Sequence, residues 1–166
     1  MKPIAIVYCS QTGHTRKYAM MLGNELKLPV YALTEARKVL PGGNPVIFLG
    51  WLFATHIKGY AEAARRYALC GVCGVGLCKT GTLTWEVRRA TGMPKDLPLF
   101  TLEGGMNRPQ LRGFNRLVIS ILRKSLAAEK NPTLEQKRML KLMDTPSDAV
   151  DPQNLQEVLA WAKALQ

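Results

Sequence analysis

Five short apolar runs, at residues 4–9, 30–33, 46–49, 72–78 and 97–102, alternate with stretches whose apolar residues recur at helical spacing. This rhythm restricts the fold more than any other feature of the chain. Strands that are apolar almost throughout are buried on both faces, so helices must cover the sheet from both sides through right-handed crossovers. The expected architecture is α/β, a three-layer sandwich around a five-stranded parallel sheet. The spacing predicts helices at 15–26, 34–40, 57–69 and 82–91, the last closed by Gly92 and Pro94, with turns at Gly42-Gly43 and Pro45. A final helix at 152–165 has Asp151 as N-cap and Pro152 at its first position, and Leu155, Val158, Leu159 and Ala162 form its core-facing stripe. With 166 residues, 47% of them hydrophobic and 21% charged, the chain fits one domain, 1–166, with a sizeable core, and disorder is excluded.

Directly after the first run stand Ser10, Gln11, Thr12, Gly13, His14 and Thr15, and a helical pattern follows at once. A buried strand that empties into hydroxyls and a glycine at a helix start brings unpaired backbone N–H groups and the positive end of a helix dipole to one point. Such a loop suits a phosphate. Arg16 and Lys17 fall in the first helical turn, where each opposes the dipole by roughly 0.3–1 kcal/mol, a cost that a nearby dianion would offset. The plainer alternative is an ordinary turn in which Thr12 or Thr15 caps the helix. Five strands with an early phosphate loop suggest the order 2-1-3-4-5, with the ligand outside the carboxyl ends of the strands.

The pattern Ser-x-Thr-Gly-x-Thr after the first strand resembles the one by which flavodoxins grip the phosphate of flavin mononucleotide (FMN). The resemblance implies a flavodoxin-like sandwich in which Ser10, Thr12 and Thr15 donate hydroxyls and Gln11, Gly13 and His14 donate backbone N–H groups. Over roughly 4–126 the chain is similar to the flavodoxin-superfamily branch that includes menaquinone-dependent protoporphyrinogen oxidases. In that branch a turn like Gly104-Gly105 leads into a basic, apolar helix.

Two further loops should meet the first. After the third run come Gly50, Trp51, Leu52, Phe53 and Ala54, and two large aromatics beyond a strand end expose apolar surface that a flat isoalloxazine ring would cover. The alternative is that both rings tuck under the helix starting near Ile57. After the fourth run come Cys78, Lys79, Thr80 and Gly81, whose backbone N–H groups would face the ring's pyrimidine edge, with Lys79 set to stabilise a reduced, anionic flavin. Equally, Thr82 caps the next helix. Glycine-rich dinucleotide, Walker and nucleophile-elbow motifs are absent, as expected where a bound flavin supplies the chemistry.

The net charge is +11, and residues 105–143 alone carry +7. This basic excess points to an anionic partner or surface: an acidic redox protein, or an anionic membrane that would bring the flavin to a quinone. A solvated basic face on extra helices would explain it as well. The 103–147 segment is too long for a simple loop and must carry helices. In it Phe114, Leu117, Val118, Ile121 and Leu122 form an apolar stripe opposite Arg112, Arg116 and Arg123, and a second, basic helix follows at 133–143. Its apolar surface would equally seal a homodimer. Nucleic acid is disfavoured, because the segment holds one aromatic, Phe114. Cys9, Cys70, Cys73 and Cys78 read as reduced, buried thiols, since Cys70 and Cys73 have metal-site spacing but no paired histidines beside them. No apolar run approaches the ~18 residues of a membrane span and the N-terminus opens into a patterned strand, so a cytoplasmic location is expected.

Overall fold

The computed structural model describes residues 1–106, 113–144 and 147–165. Five strands run parallel: β1 (Ala5–Cys9), β2 (Val30–Ala32), β3 (Pro45–Phe53), β5 (Ala68–Gly76) and β6 (Leu99–Glu103). A short β4 (His56–Ile57) folds back antiparallel on β3, making a sixth strand. Along the sheet the neighbours are β2-β1-β3-β5-β6. The register follows the apolar pattern: Ile6 pairs with Val30 on one side and Ile47 on the other, and Phe48 pairs with Val72.

Alternate strand residues divide between two cores, as the pleat requires. Ile6, Ile47, Leu49, Cys73 and Val75 pack under α1 (His14–Leu26) and α7 (Gln156–Lys163). Ala5, Val7, Val46, Phe48 and Val72 pack under α2 (Leu33–Val39), α3 (Tyr60–Arg66) and α4 (Thr84–Thr91). The result is three layers, with helices on both faces of a mostly parallel sheet. Leu155, Val158 and Ala162 are fully buried, with Leu159 packed against them, so the C-terminal stripe faces the core as its spacing predicts. The Asp151 side chain accepts from the Gln153 N–H at 2.8 Å, although the first turn, Pro152–Leu155, is a 3-10 helix and α7 begins after it.

Several expected boundaries move. β3 continues to Phe53 where the pattern ended at Leu49, because Leu52 and Phe53 find cross-strand partners in Ile57 and His56. Gly50, Trp51, Leu52 and Phe53 are therefore strand residues, and the loop shrinks to the turn at Ala54 and Thr55. The helix expected from Ile57 starts only at Tyr60, since Ile57 is spent on β4 and Gly59 caps α3 in the left-handed region, φ 83°. β5 begins at Ala68, four residues ahead of the expected 72, and its pairing with Pro45 and Val46 holds a stretch that its Gly and Cys content had hidden. Gly71 lies under Trp161 of α7, so closely that a Cβ there would meet the indole at 2.4 Å.

Between β6 and the C-terminal turn, the described residues form β7 (Gly105–Met106), α5 (Gly113–Ala127), α6 (Leu134–Asp144) and β8 (Ser147–Asp148), with β7 and β8 antiparallel. Arg112 and the side chains of Phe114, Arg116 and Val118 lie outside what is described. The expected stripe is partly overturned: among the described side chains of α5, Ile119 is buried, whereas Leu117 and Ile121 are each 58% exposed. Arg123 is not a free surface charge, being paired with Asp144 of α6. No helix among the described residues is long and apolar enough to cross a membrane.

Candidate functional site

A cavity of about 280 Å³ opens at the carboxyl ends of β1, β3 and β5. Four segments line it: Gln11, Thr12, His14 and Thr15 after β1; Trp51 to Thr55 at the tip of β3; Val75, Gly76, Leu77 and Cys78 at the end of β5; and Ile119, Leu122, Met139 and Met143 from α5 and α6, with Leu83 and Gly105 completing the wall. In open parallel sheets the carboxyl edge is where ligands bind.

The first segment is an open helix terminus. Gly13 is the N-cap of α1 with φ 96°, a conformation costly for any residue with a Cβ, and no side chain caps the helix. A Cβ on Gly13 would meet nothing within 4 Å, so its outer face looks into open space. The Ser10 hydroxyl accepts from the Gly13 N–H at 3.2 Å, which leaves its own proton to donate. Neither threonine caps the helix: Thr12 Oγ1 lies 3.0 Å from His14 Nδ1, and Thr15 is buried inside the first turn. Lys17 is satisfied from within the protein by an ion pair with Asp148, so the offset expected from a bound dianion falls to that carboxylate.

His14 ties this loop to β7 and β8. Its Nε2 is 3.1 Å from the Ser147 carbonyl and 3.8 Å from the Asp148 carboxylate. Gly104 and Gly105 make the approach possible: a Cβ on Gly105 would sit 2.0 Å from the Ser147 oxygen and 2.7 Å from His14 Nε2. Burial lowers the His14 pKa below its usual value, while Asp148 acts in the opposite sense.

Trp51 and Phe53, one pleat repeat apart on β3, form an edge-to-face pair with centroids 6.0 Å apart and planes at 73°. Both line the cavity instead of tucking beneath α3. Lys58 Nζ lies 5.8 Å and 5.3 Å from their centroids, within cation–π range. Gly50 is not a lining residue. It is required where β3 meets the hairpin, since a Cβ would come within 2.4 Å of the Lys58 carbonyl.

The third loop contributes less than expected. Cys78 lines the cavity, but Lys79, Thr80 and Gly81 do not. Their polar groups close the loop on itself and on β6: the Gly81 N–H donates to the Thr101 carbonyl at 2.9 Å and Thr80 Oγ1 accepts from the Glu103 N–H at 3.0 Å. Thr82 is not the cap of α4 either, because its hydroxyl turns back to the Lys79 carbonyl and Leu83 occupies the N-cap position.

The wall from α5 and α6 is the part that no loop motif announced. Ile119, Leu122, Met139 and Met143 are all apolar, and the helices are tied down by the pairs Arg138–Glu103 and Arg123–Asp144. Glu103 sits at the end of β6, where its carbonyl accepts from the Tyr18 hydroxyl at 2.5 Å. Among the described residues no group of three metal-binding side chains occurs and no disulfide is formed, and burial pushes the Cys73 thiol pKa up to about 12.

The cavity is chemically divided, with the hydroxyl-bearing start of α1 at one end and aromatic and aliphatic walls at the other. Compared with protein-family models, with curated proteins and with solved structures, the chain has no match in any of the three.

Proposed function

We propose that this protein is a flavodoxin-like redox protein that binds FMN and passes electrons to or from a partner protein. The carrying observation is the single cavity that unites the Gln11–Thr15 loop, the Trp51–Phe53 pair and the Gly76–Cys78 segment at one sheet edge. The parallel strands β2-β1-β3-β5-β6 also follow the order expected of a flavodoxin-like sheet, with β4 a side hairpin. In this reading the Ser10–Thr15 loop, Thr12 included, holds the phosphate end, Trp51 and Phe53 flank the ring, and Cys78 lies along its edge. Bound flavin supplies the electron chemistry, while the protein supplies position and a dry environment. Lys124, Lys130, Lys137 and Lys141 are exposed on the insertion and would face an acidic partner or anionic surface.

A second reading, an oxidoreductase acting on a quinone or a similar small acceptor, draws on a different observation. Ile119, Leu122, Met139 and Met143 close the cavity with apolar side chains, an arrangement that favours a small apolar acceptor over direct docking of a protein.

The purified protein should bind FMN and show flavin absorption in the visible; a colourless protein that also refuses added FMN would overturn both readings and leave a non-redox binding module. Thr12→Ala and Gly13→Val should weaken FMN far more than riboflavin, by about tenfold or more if one charge-assisted contact of roughly 1.5–3 kcal/mol is lost. Equal losses for the two flavins would remove the phosphate from this loop. Stopped-flow reoxidation by a soluble quinone, set against reoxidation by an acidic redox protein, separates enzyme from carrier.

A further inference from the structure

We infer that His14 is a positioning residue that selects the charge state in which the loop takes its anion, by controlling the direction in which the Thr12 hydroxyl points its proton. The inference rests on the phosphate-loop reading above and adds to it a coupling that the loop motif does not contain.

The argument is one of donors and acceptors. The Ser147 carbonyl, 3.1 Å from His14 Nε2, can only accept, so Nε2 carries a proton. In neutral imidazole Nδ1 is then a bare acceptor, and the contact at 3.0 Å with Thr12 Oγ1 is a hydrogen bond that the threonine donates. In that state Thr12 turns lone pairs toward the loop mouth, the wrong polarity for a fully ionised oxyanion. Protonation at Nδ1 reverses the bond. The imidazolium donates to Thr12 Oγ1, and the threonine proton swings out to meet an anion. The relay moves one proton onto Nδ1 from solvent and only reorients the hydroxyl, so no covalent bond to oxygen is made or broken.

The surroundings decide which of its two forms His14 takes. Among the described residues the charged groups facing it are Lys17 on its own helix and Asp148 on β8, and these two are paired with each other. β7 meets it through Gly105, and Gly104 before that strand lies against its Cβ; neither carries charge, and Glu103 just upstream is engaged by Arg138 of α6. Burial keeps the imidazole neutral near pH 7 in the free protein. A dianion at the α1 terminus would draw a proton onto it, so binding and protonation reinforce each other.

Sulfate is the probe of choice, because its charge is constant between about pH 5 and 8, whereas phosphate itself ionises near pH 6. Sulfate binding to the full chain would be followed through the α1 and loop amides by NMR across that range, with the imidazole nitrogens of His14 read in the same samples. Affinity should rise as pH falls, by up to about tenfold per unit, the slope of one linked proton. Sulfate should raise the His14 pKa, and free His14 should be the Nε2–H tautomer. His14→Gln should bind sulfate with a much flatter pH profile, any residual slope reporting background charge. In Thr12→Val the imidazole should still titrate while most of the pH dependence of sulfate binding disappears. A full slope retained in Thr12→Val overturns the relay in favour of through-space charge. A pH-independent wild type, or an Nδ1–H tautomer, overturns the inference but leaves the loop as an anion site. If sulfate fails to perturb the loop at any pH, the phosphate-loop reading falls, and the inference with it.

Discussion

Tyr18 shows how much of the molecule hangs on one side chain. It is fully buried on α1, and its hydroxyl donates to the Glu103 carbonyl while accepting from the Asp151 N–H at 3.3 Å and the Asn154 amide at 2.8 Å. That oxygen joins the first helix to the end of β6 and to the entry of the last helix. Tyr18→Phe keeps the ring but takes a partner from the part-buried Glu103 carbonyl and Asp151 N–H, and leaves the Asn154 amide only the Ala149 carbonyl; an unsatisfied group of this kind costs about 1–3 kcal/mol. Chemical denaturation should show a loss of at least that size, with unchanged circular dichroism. His14 makes the residue-scale statement about pH. Its folded pKa is lowered by burial, so the neutral form is the one the fold prefers. The stability it contributes is fully present above its unfolded pKa of about 6.5 and is lost as pH falls through the lower folded value. Thermal melts of the ligand-free protein should therefore decline below about pH 6.5, and less steeply in His14→Gln. At this scale the sequence was a good guide to which residue types gather at the loop and a poor guide to their bonds: the six-residue loop pattern names Thr12 as a donor, and only the fold brings Ser147 to the far side of His14 and turns Thr12 toward it.

At the scale of elements, β1, β3 and the C-terminal stripe were legible because continuous apolar runs and spacing of 3.6 residues report burial directly. β4 and the start of β5 were not. Two residues of pairing in β4 carry no periodicity, and the Ala, Gly and Cys residues that open β5 have little strand preference of their own; they are strand because β3 already lies beside them. The insertion shows the same limit, since helical spacing located α5 and placed Leu122 on its apolar stripe but added the exposed Leu117 and Ile121 and left out Ile119, which reaches the cavity with Leu122. The latch to the rest of the molecule is the half-buried Arg138–Glu103 pair. Arg138→Gln should change global stability by no more than about 1 kcal/mol, as expected of a partly solvated ion pair. On the proposed FMN reading it should nonetheless release flavin several-fold faster in stopped-flow dissociation, because α6 carries Met139 and Met143 to the cavity wall. An unchanged off-rate would mean that the helices do not close the site.

Across the whole molecule, the central sheet and the insertion should differ in how readily they open. β1, β3 and β5 sit between two cores of fully buried side chains, whereas α5 and α6 expose Leu117, Ile121 and Leu134 and meet the sandwich chiefly through the cavity wall. Hydrogen exchange should be slowest in those three strands and fastest in the insertion, and added FMN should slow the insertion selectively; uniform protection would place the ligand elsewhere. The amino-acid sequence by itself determined that a parallel sheet forms, that both its faces are covered, and that a hydroxyl-rich glycine turn sits at its edge. Those properties come from local pattern and from burial, which each segment carries within itself. Only the tertiary structure decided that the aromatic pair, the turn and the insertion helices enclose one cavity, and that His14 is gripped by a strand 133 residues away. Contacts of that kind depend on where the chain returns after its crossovers, and no local pattern encodes the return.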